Sequence, residues 1–169
     1  MNRRLELWLV TGLLLLAAIL RLWNLAELPP GFNVDELAYI GITEAVRSGD
    51  VAVYYVAPDG TGRAGLYGVL NSVITGLAGD GLIGYRLLPA FAGLVTLALL
   101  YALARRLFNV PVALVALAIG VVNLQLVLLA RSGTATALVP LLVLLVLYVL
   151  ARAFNLRQEI RFHTPVTLT

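Results

Sequence analysis

The sequence has no cysteine and no lysine, and it has a single histidine, His163. Without cysteine there are no disulfide bonds, no thiol catalysis and no cysteine-ligated metals. One histidine cannot form a histidine cluster. Charge is also scarce, because Asp, Glu, Lys and Arg make up only 12% of the 169 residues, whereas a soluble domain usually has about 25%.

The composition is instead dominated by hydrophobic residues. They make up 61% of the chain, and the mean hydropathy is +0.96. These values indicate an integral membrane protein. The formal net charge of +3 does not indicate a nucleic-acid partner, because the arginines are scattered among hydrophobic blocks and form no single basic face.

Four apolar segments approach the length of about 20 residues that a helix needs to cross a bilayer. They lie at about 5–23, 86–104, 110–130 and 133–152. A fifth, glycine-rich stretch at 64–79 is shorter and carries Asn71 and Ser72 in its middle. That stretch is either a short span or a helix that lies at the interface.

The arginines distinguish these alternatives, because cytoplasmic loops carry an excess of basic residues. If 64–79 does not cross, seven arginines of the N-terminus, the 105–106 loop and the tail share one side. If it crosses, the bias reverses. The sequence therefore predicts an all-α integral membrane protein with four transmembrane helices and both termini in the cytoplasm. Residues 1–152 form the transmembrane module, and 153–169 form a polar cytoplasmic tail.

The predicted external loop at 24–85 is long for a loop between tight spans, and long loops often carry function. It is expected to hold two juxtamembrane helices. The first begins after Asn33, with Glu36 at the spacing of a capping box and Asp35 beside it. Capping and the helix dipole explain both acids. A carboxylate at a membrane surface is also a natural general base or metal ligand, and spacing alone leaves both interpretations open.

Several motifs resemble, in order, the N-terminal part of the GT-C superfamily of membrane glycosyltransferases. The branch is that of protein O-mannosyltransferase-like and lipid A aminoarabinose transferase-like enzymes. The ordered set carries the resemblance, since no single motif is specific. The motifs are Asp35-Glu36, Ser48-Gly49-Asp50, 62–67 (GRAGLY), 86–93 (RLLPAFAG), 101–108 (YALARRLF) and Arg131-Ser132-Gly133.

The resemblance implies transfer of a sugar from a polyprenyl-phosphate-linked donor on the non-cytoplasmic face, in the plasma (inner) membrane of a prokaryote. It gives Asp35, with Glu36 beside it, a catalytic role toward the acceptor, as a base or through a divalent metal ion. Other residues are expected to bind substrate or the lipid phosphate: Arg63, Arg86, Arg131 and Tyr67. For Arg86 and Arg131 the alternative is that they snorkel at span ends.

The chain departs from the family pattern in three ways. Ala64-Gly65 follows Arg63 where relatives usually carry an acid or a proline, and the second external loop has no acid. Family enzymes also have more spans. The expected function is therefore a transferase module that is incomplete alone and works with a further membrane polypeptide. The alternative is a non-catalytic, transferase-derived subunit that packs in a larger membrane complex.

Overall fold

The computed structural model describes residues 2–57 and 60–156. The predicted tail, with His163, therefore lies mostly outside the described residues. Within them the secondary structure is mainly helical, with one short hairpin. In chain order the elements are α1 (Arg3–Leu22), α2 (Val34–Arg47), β1 (Tyr54–Val56), β2 (Gly62–Ala64), α3 (Leu66–Ala78), α4 (Leu82–Leu107), α5 (Val110–Val122), α6 (Leu124–Arg131), a 3-10 turn (Ala135–Ala137) and α7 (Leu138–Ala153).

The prediction of an all-α integral membrane protein is confirmed. In the described part of the chain, α1, α4 and α7 with its preceding turn are long and apolar enough to cross a membrane. The α5–α6 pair adds a fourth span if the two helices cross together. Helix α3 has 13 residues, or about 20 Å at 1.5 Å per residue. It is therefore shorter than a bilayer core of about 30 Å.

The span predicted at 110–130 is broken, because α5 and α6 meet at a bend of 57°. Asn123 lies between them, and its side chain accepts a hydrogen bond from the Leu126 N–H at 3.0 Å, which starts α6. The carbonyls at the end of α5 have a partner from another helix. Arg21 of α1 is fully buried and donates to the Gly120 and Val121 oxygens at 3.4 Å each.

Helix α4 lies at the centre and packs against α1, α3, α5, α6 and α7. Small residues allow these close approaches. A Cβ atom added at Gly120 of α5 would lie 2.8 Å from the Leu97 side chain of α4. One at Gly68 of α3 would lie 2.6 Å from Ile42 of α2. Glycine is thus needed where α2 meets α3, and this contact holds α2 beside the membrane-spanning helices.

A two-stranded antiparallel hairpin connects α2 to α3. Its register pairs Tyr54 with Ala64, and Tyr55 with Arg63. The pairing matters for the site because it places Arg63 on a strand beside α2.

Candidate functional site

The two adjacent acids lie in the first turn of α2, which is closed by a capping box. The Asn33 side chain accepts a hydrogen bond from the Glu36 N–H at 2.7 Å, and the Glu36 Oε2 accepts one from the Asn33 N–H at 3.1 Å. The capping prediction is confirmed. Consecutive helical residues point about 100° apart, so the box that turns Glu36 inward leaves Asp35 on another face.

Glu36 lies in the protein interior, with 1% of its surface exposed. Its carboxylate forms a two-pronged ion pair with Arg86: Nε to Oε1 at 3.1 Å and Nη2 to Oε2 at 3.2 Å. The Gly133 N–H also donates to Oε1, at 2.7 Å. Together with the Asn33 N–H, these donors occupy both carboxylate oxygens. Glu36 therefore joins α2, α4 and the loop before α7.

Arg86 is fully buried and forms further bonds besides its ion pair with Glu36. Its terminal nitrogens donate to the carbonyls of Leu25, Pro29 and Gly31, in the connection between α1 and α2. All three guanidinium nitrogens are thus engaged within the protein. Arg86, the predicted phosphate-binding side chain, therefore holds the connection between α1 and α2 in place, and its side chain does not reach the surface.

Arg131 has a similar environment at the end of α6, with 7% of its surface exposed. Its guanidinium donates to carbonyls at and after the end of α1, where the last turn lacks helical partners. The acceptors are the oxygens of Leu20, Trp23, Asn24 and Leu28, at 2.8 to 3.2 Å. Arg131 therefore caps α1, while Arg21 of α1 bonds the end of α5.

Asp35 and Arg63 form a second pair, in which only the Asp35 carboxylate is largely exposed, because the Arg63 side chain is 13% exposed. The Arg63 Nη2 lies 2.7 Å from the Asp35 Oδ1, and 62% of the Asp35 side chain is exposed. The guanidinium also lies over the Tyr39 ring, 5.3 Å from its centroid. The hydrogen bond with Asp35 is the largest cause that raises the pKa of Arg63 above its ordinary value. The pair thus presents an accessible carboxylate beside a permanent cation.

Tyr67 lies beneath this pair and is only 1% exposed. Its ring meets Tyr39 edge-on at 5.0 Å. Its hydroxyl donates to the Tyr85 carbonyl at 3.4 Å, and Asn71 donates to the same oxygen at 3.5 Å. Pro89 explains why that oxygen is available, since a proline has no N–H for the carbonyl four residues earlier. Burial raises the pKa of Tyr67, which keeps the hydroxyl as a donor.

Tyr39 was not among the predicted site residues. It follows Asp35 by four positions in the same helix, the spacing that places two side chains on one face. That spacing could have identified it. The hydrogen bond from the Gly133 N–H to Glu36 was also not predicted. No local feature of the sequence indicates it, because the two residues lie 97 positions apart.

The residues around Asp35 do not fit a divalent metal. In residues 2–57 and 60–156, no three His, Cys, Asp or Glu side chains come together as a metal-binding group. The neighbour of the Asp35 carboxylate is a guanidinium, whose charge repels a cation. The predicted metal role of Asp35 therefore has no support from the arrangement of these side chains.

The sequence profile of the dolichyl-phosphate-mannose-protein mannosyltransferase family matches residues 66–164. This match covers more than half of the chain. The chain belongs to this family. The GT-C resemblance is thereby confirmed, and with it the kind of protein: a membrane glycosyltransferase fold whose family uses lipid-linked sugar donors.

The matched region of the mannosyltransferase family begins after Asp35, Glu36 and Arg63. It includes Tyr67 and Arg86, so the family assignment depends on α3 to α7 and is independent of the exposed pair. No curated protein and no solved structure matches the chain.

Proposed function

We propose that this chain is a glycosyltransferase module that transfers a sugar from a polyprenyl-phosphate-linked donor to an acceptor on the non-cytoplasmic face of the membrane. In this proposal Asp35 is the catalytic base. The observation that carries it is the exposed Asp35 carboxylate of α2, held 2.7 Å from the Arg63 guanidinium of the hairpin.

Accessibility favours Asp35 over Glu36. A general base must come within hydrogen-bond reach of the proton that it accepts. Glu36 already receives hydrogen bonds from Asn33, Arg86 and Gly133 and has almost no exposed surface. Asp35 has one arginine partner and an open side. We assign to Glu36 the role of a positioning residue that orients α2.

The proposed reaction has two coupled events. The acceptor nucleophile gives its proton to the Asp35 carboxylate and bonds to the anomeric carbon of the sugar. The bond from that carbon to the lipid phosphate oxygen breaks, and its electrons leave with the polyprenyl phosphate. Arg63 contributes a fixed positive charge near the leaving group. The planar N–H donors of its guanidinium match the geometry of phosphate oxygens. Arg86 and Arg131 are assigned to holding the surrounding turns.

The proposal includes a further membrane polypeptide and a defined orientation. Helix α7 exposes a row of large apolar residues, which lipid or another span would cover. They are Val139, Leu142, Val143, Val146 and Val149.

The orientation in the membrane follows from the basic residues. The excess of arginine near the two termini favours a cytoplasmic location for both of them. We place the protein in the plasma membrane of a prokaryote.

The first step of the test is purification from native membranes in mild detergent, with mass spectrometry of co-migrating polypeptides and lipids. The resulting complex is then assayed for transfer of labelled sugar from a polyprenyl-phosphate donor. Asp35→Asn should lower the rate by about 10²- to 10⁴-fold, the usual contribution of a general base. Asp50→Asn is the matched control, because Asp50 is an exposed acid of the same loop.

Thermal unfolding of both variants shows whether the fold is intact. Normal transfer by Asp35→Asn would mean that the acid serves only the helix terminus. Absence of transfer by the intact wild-type complex, together with stable association with an unrelated assembly, would favour the non-catalytic subunit.

A further inference from the structure

The end of the molecule opposite the candidate site carries a concentration of positive charge. In the described part of the chain it has five arginines and one acid, Glu6. The described residues of the other end include five arginines and six carboxylates. The five arginines of the positive end are Arg3, Arg4, Arg105, Arg106 and Arg152.

Two adjacent arginines at the end of α4 draw three helix ends together. Arg105 forms an ion pair with Glu6 of α1 at 3.0 Å. Glu6 is buried and also accepts a hydrogen bond from the Tyr101 hydroxyl at 2.6 Å. Arg106 donates to the Ala151 carbonyl of α7 at 3.2 Å. The one acid of this end is therefore already neutralised by a residue of the same cluster.

The other three arginines are exposed and have no acidic partner in residues 2–57 and 60–156. Arg3 and Arg4 lie in the first turn of α1, and Arg152 lies in the last turn of α7. Neighbouring helix axes lie about 8–10 Å apart, and α4 separates α1 from α7. Arg152 is thus separated from Arg3 and Arg4 by the width of α4, and the arginines form a band of positive charge across the three helix ends.

The surface next to this band is apolar. Trp8 follows Arg4 by four residues on α1 and is 77% exposed. Phe108 and Phe154, which follow Arg105 and Arg152 by three and two residues, are also exposed. A lipid whose acyl chains lie along these helices places its headgroup at the height of the arginines. Clusters of four or more basic residues next to a membrane span attract anionic lipids.

We propose that this band, defined by the five arginines, binds the headgroups of anionic phospholipids in the adjacent leaflet. Arg3, Arg4 and Arg152 make the direct contacts. Arg105 and Arg106 hold the three helix ends in place and contribute long-range charge. The proposal concerns the end opposite Asp35 and does not depend on the proposed transferase activity.

The two tryptophans provide a test with an internal control, because Trp8 lies at the basic end and Trp23 at the other. Trp23→Phe leaves Trp8 as the reporter, and Trp8→Phe leaves Trp23. The full chain is reconstituted in phosphatidylcholine vesicles with increasing amounts of brominated phosphatidylglycerol, whose bromines quench tryptophan fluorescence. Brominated phosphatidylcholine supplies the reference for a lipid without net charge.

Phosphatidylglycerol should be preferred at Trp8 by at least about fivefold, the effect of one arginine at a membrane surface. The preference should disappear in Arg3→Gln/Arg4→Gln and persist in Arg3→Lys/Arg4→Lys. At Trp23 both lipids should quench equally in every variant. Raising the salt from about 0.1 M to about 1 M should weaken the preference, because the Debye length falls from about 10 Å to about 3 Å.

Three results would overturn the proposal. Equal quenching by the two lipids at Trp8 would mean that the band has no headgroup preference. An unchanged preference in the Gln variant would exclude Arg3 and Arg4 as contacts. Loss of the preference in millimolar inorganic phosphate, at constant ionic strength, would identify a site for free anions and not for lipid.

Discussion

Asp35 and Glu36 are neighbours in sequence, but their carboxylates lie in opposite environments. Glu36 is buried and accepts hydrogen bonds from α4, from the loop before α7 and from its own helix cap. Asp35 is mostly exposed and pairs with one arginine of the hairpin. Each acid has an arginine partner, so charge pairing alone does not distinguish the roles of the two acids. The difference is how much water each carboxylate can reach.

The comparison extends to the arginines. Arg86 and Arg131 use their guanidinium groups to bond carbonyls of the turn that leads from α1 to α2. Arg63 lies over the Tyr39 ring and pairs with the exposed Asp35, while its own side chain is mostly covered. A buried ion pair becomes costly when one partner is removed, whereas an exposed pair contributes little to stability. Buried and exposed members should therefore respond differently to the same kind of substitution.

The largest expected effect is on the buried pair. Glu36→Gln leaves Arg86 buried without its counter-charge, and it should lower the free energy of unfolding by about 3–5 kcal/mol. Thermal unfolding in detergent measures this. Glu44→Gln, which changes a less buried acid of the same helix, is the control. A loss below about 1 kcal/mol would remove the distinction between the two acids.

An intermediate effect is expected where Tyr67 donates to the Tyr85 carbonyl. Tyr67→Phe should cost about 0.5–1.5 kcal/mol, the net value of an ordinary hydrogen bond. The cost should shrink in a Pro89→Ala background, because an alanine at that position supplies the missing backbone N–H for the same oxygen. A double-mutant cycle measures this coupling. Equal costs in both backgrounds would show that the Pro89 substitution does not affect this contact.

The smallest expected effect is on the Asp35–Arg63 pair, whose carboxylate is exposed. Asp35→Asn should change the free energy of unfolding by less than about 1 kcal/mol, because 62% of the Asp35 side chain is exposed and ion pairs open to solvent typically contribute 0–1 kcal/mol. The same thermal unfolding assay applies, with Glu36→Gln measured in parallel. If Asp35→Asn destabilises the fold as much as Glu36→Gln does, Asp35 is part of the scaffold, and the proposed catalytic role would lose its structural basis.

Local features were predictable from sequence where their causes are local. The capping box depends on residues three positions apart, and it forms as expected. Apolar length alone indicated the membrane-spanning helices. The break near Asn123 was not predicted, because a single capping residue barely changes the mean hydropathy of an apolar segment. The burial of Arg86 and Arg131 also could not be predicted from the local sequence, because the carbonyls that they bond lie in the turns after α1.

The sequence by itself determined that the protein is a mainly helical membrane protein with two acids at a helix start, and it indicated the glycosyltransferase family. Hydropathy, capping and ordered motifs are properties of neighbouring residues. The tertiary structure alone decided which acid is buried. Glu36 meets Arg86 and Gly133, which lie 50 and 97 residues away in the chain. Only helix packing brings such distant donors to one carboxylate and leaves the adjacent one in solvent.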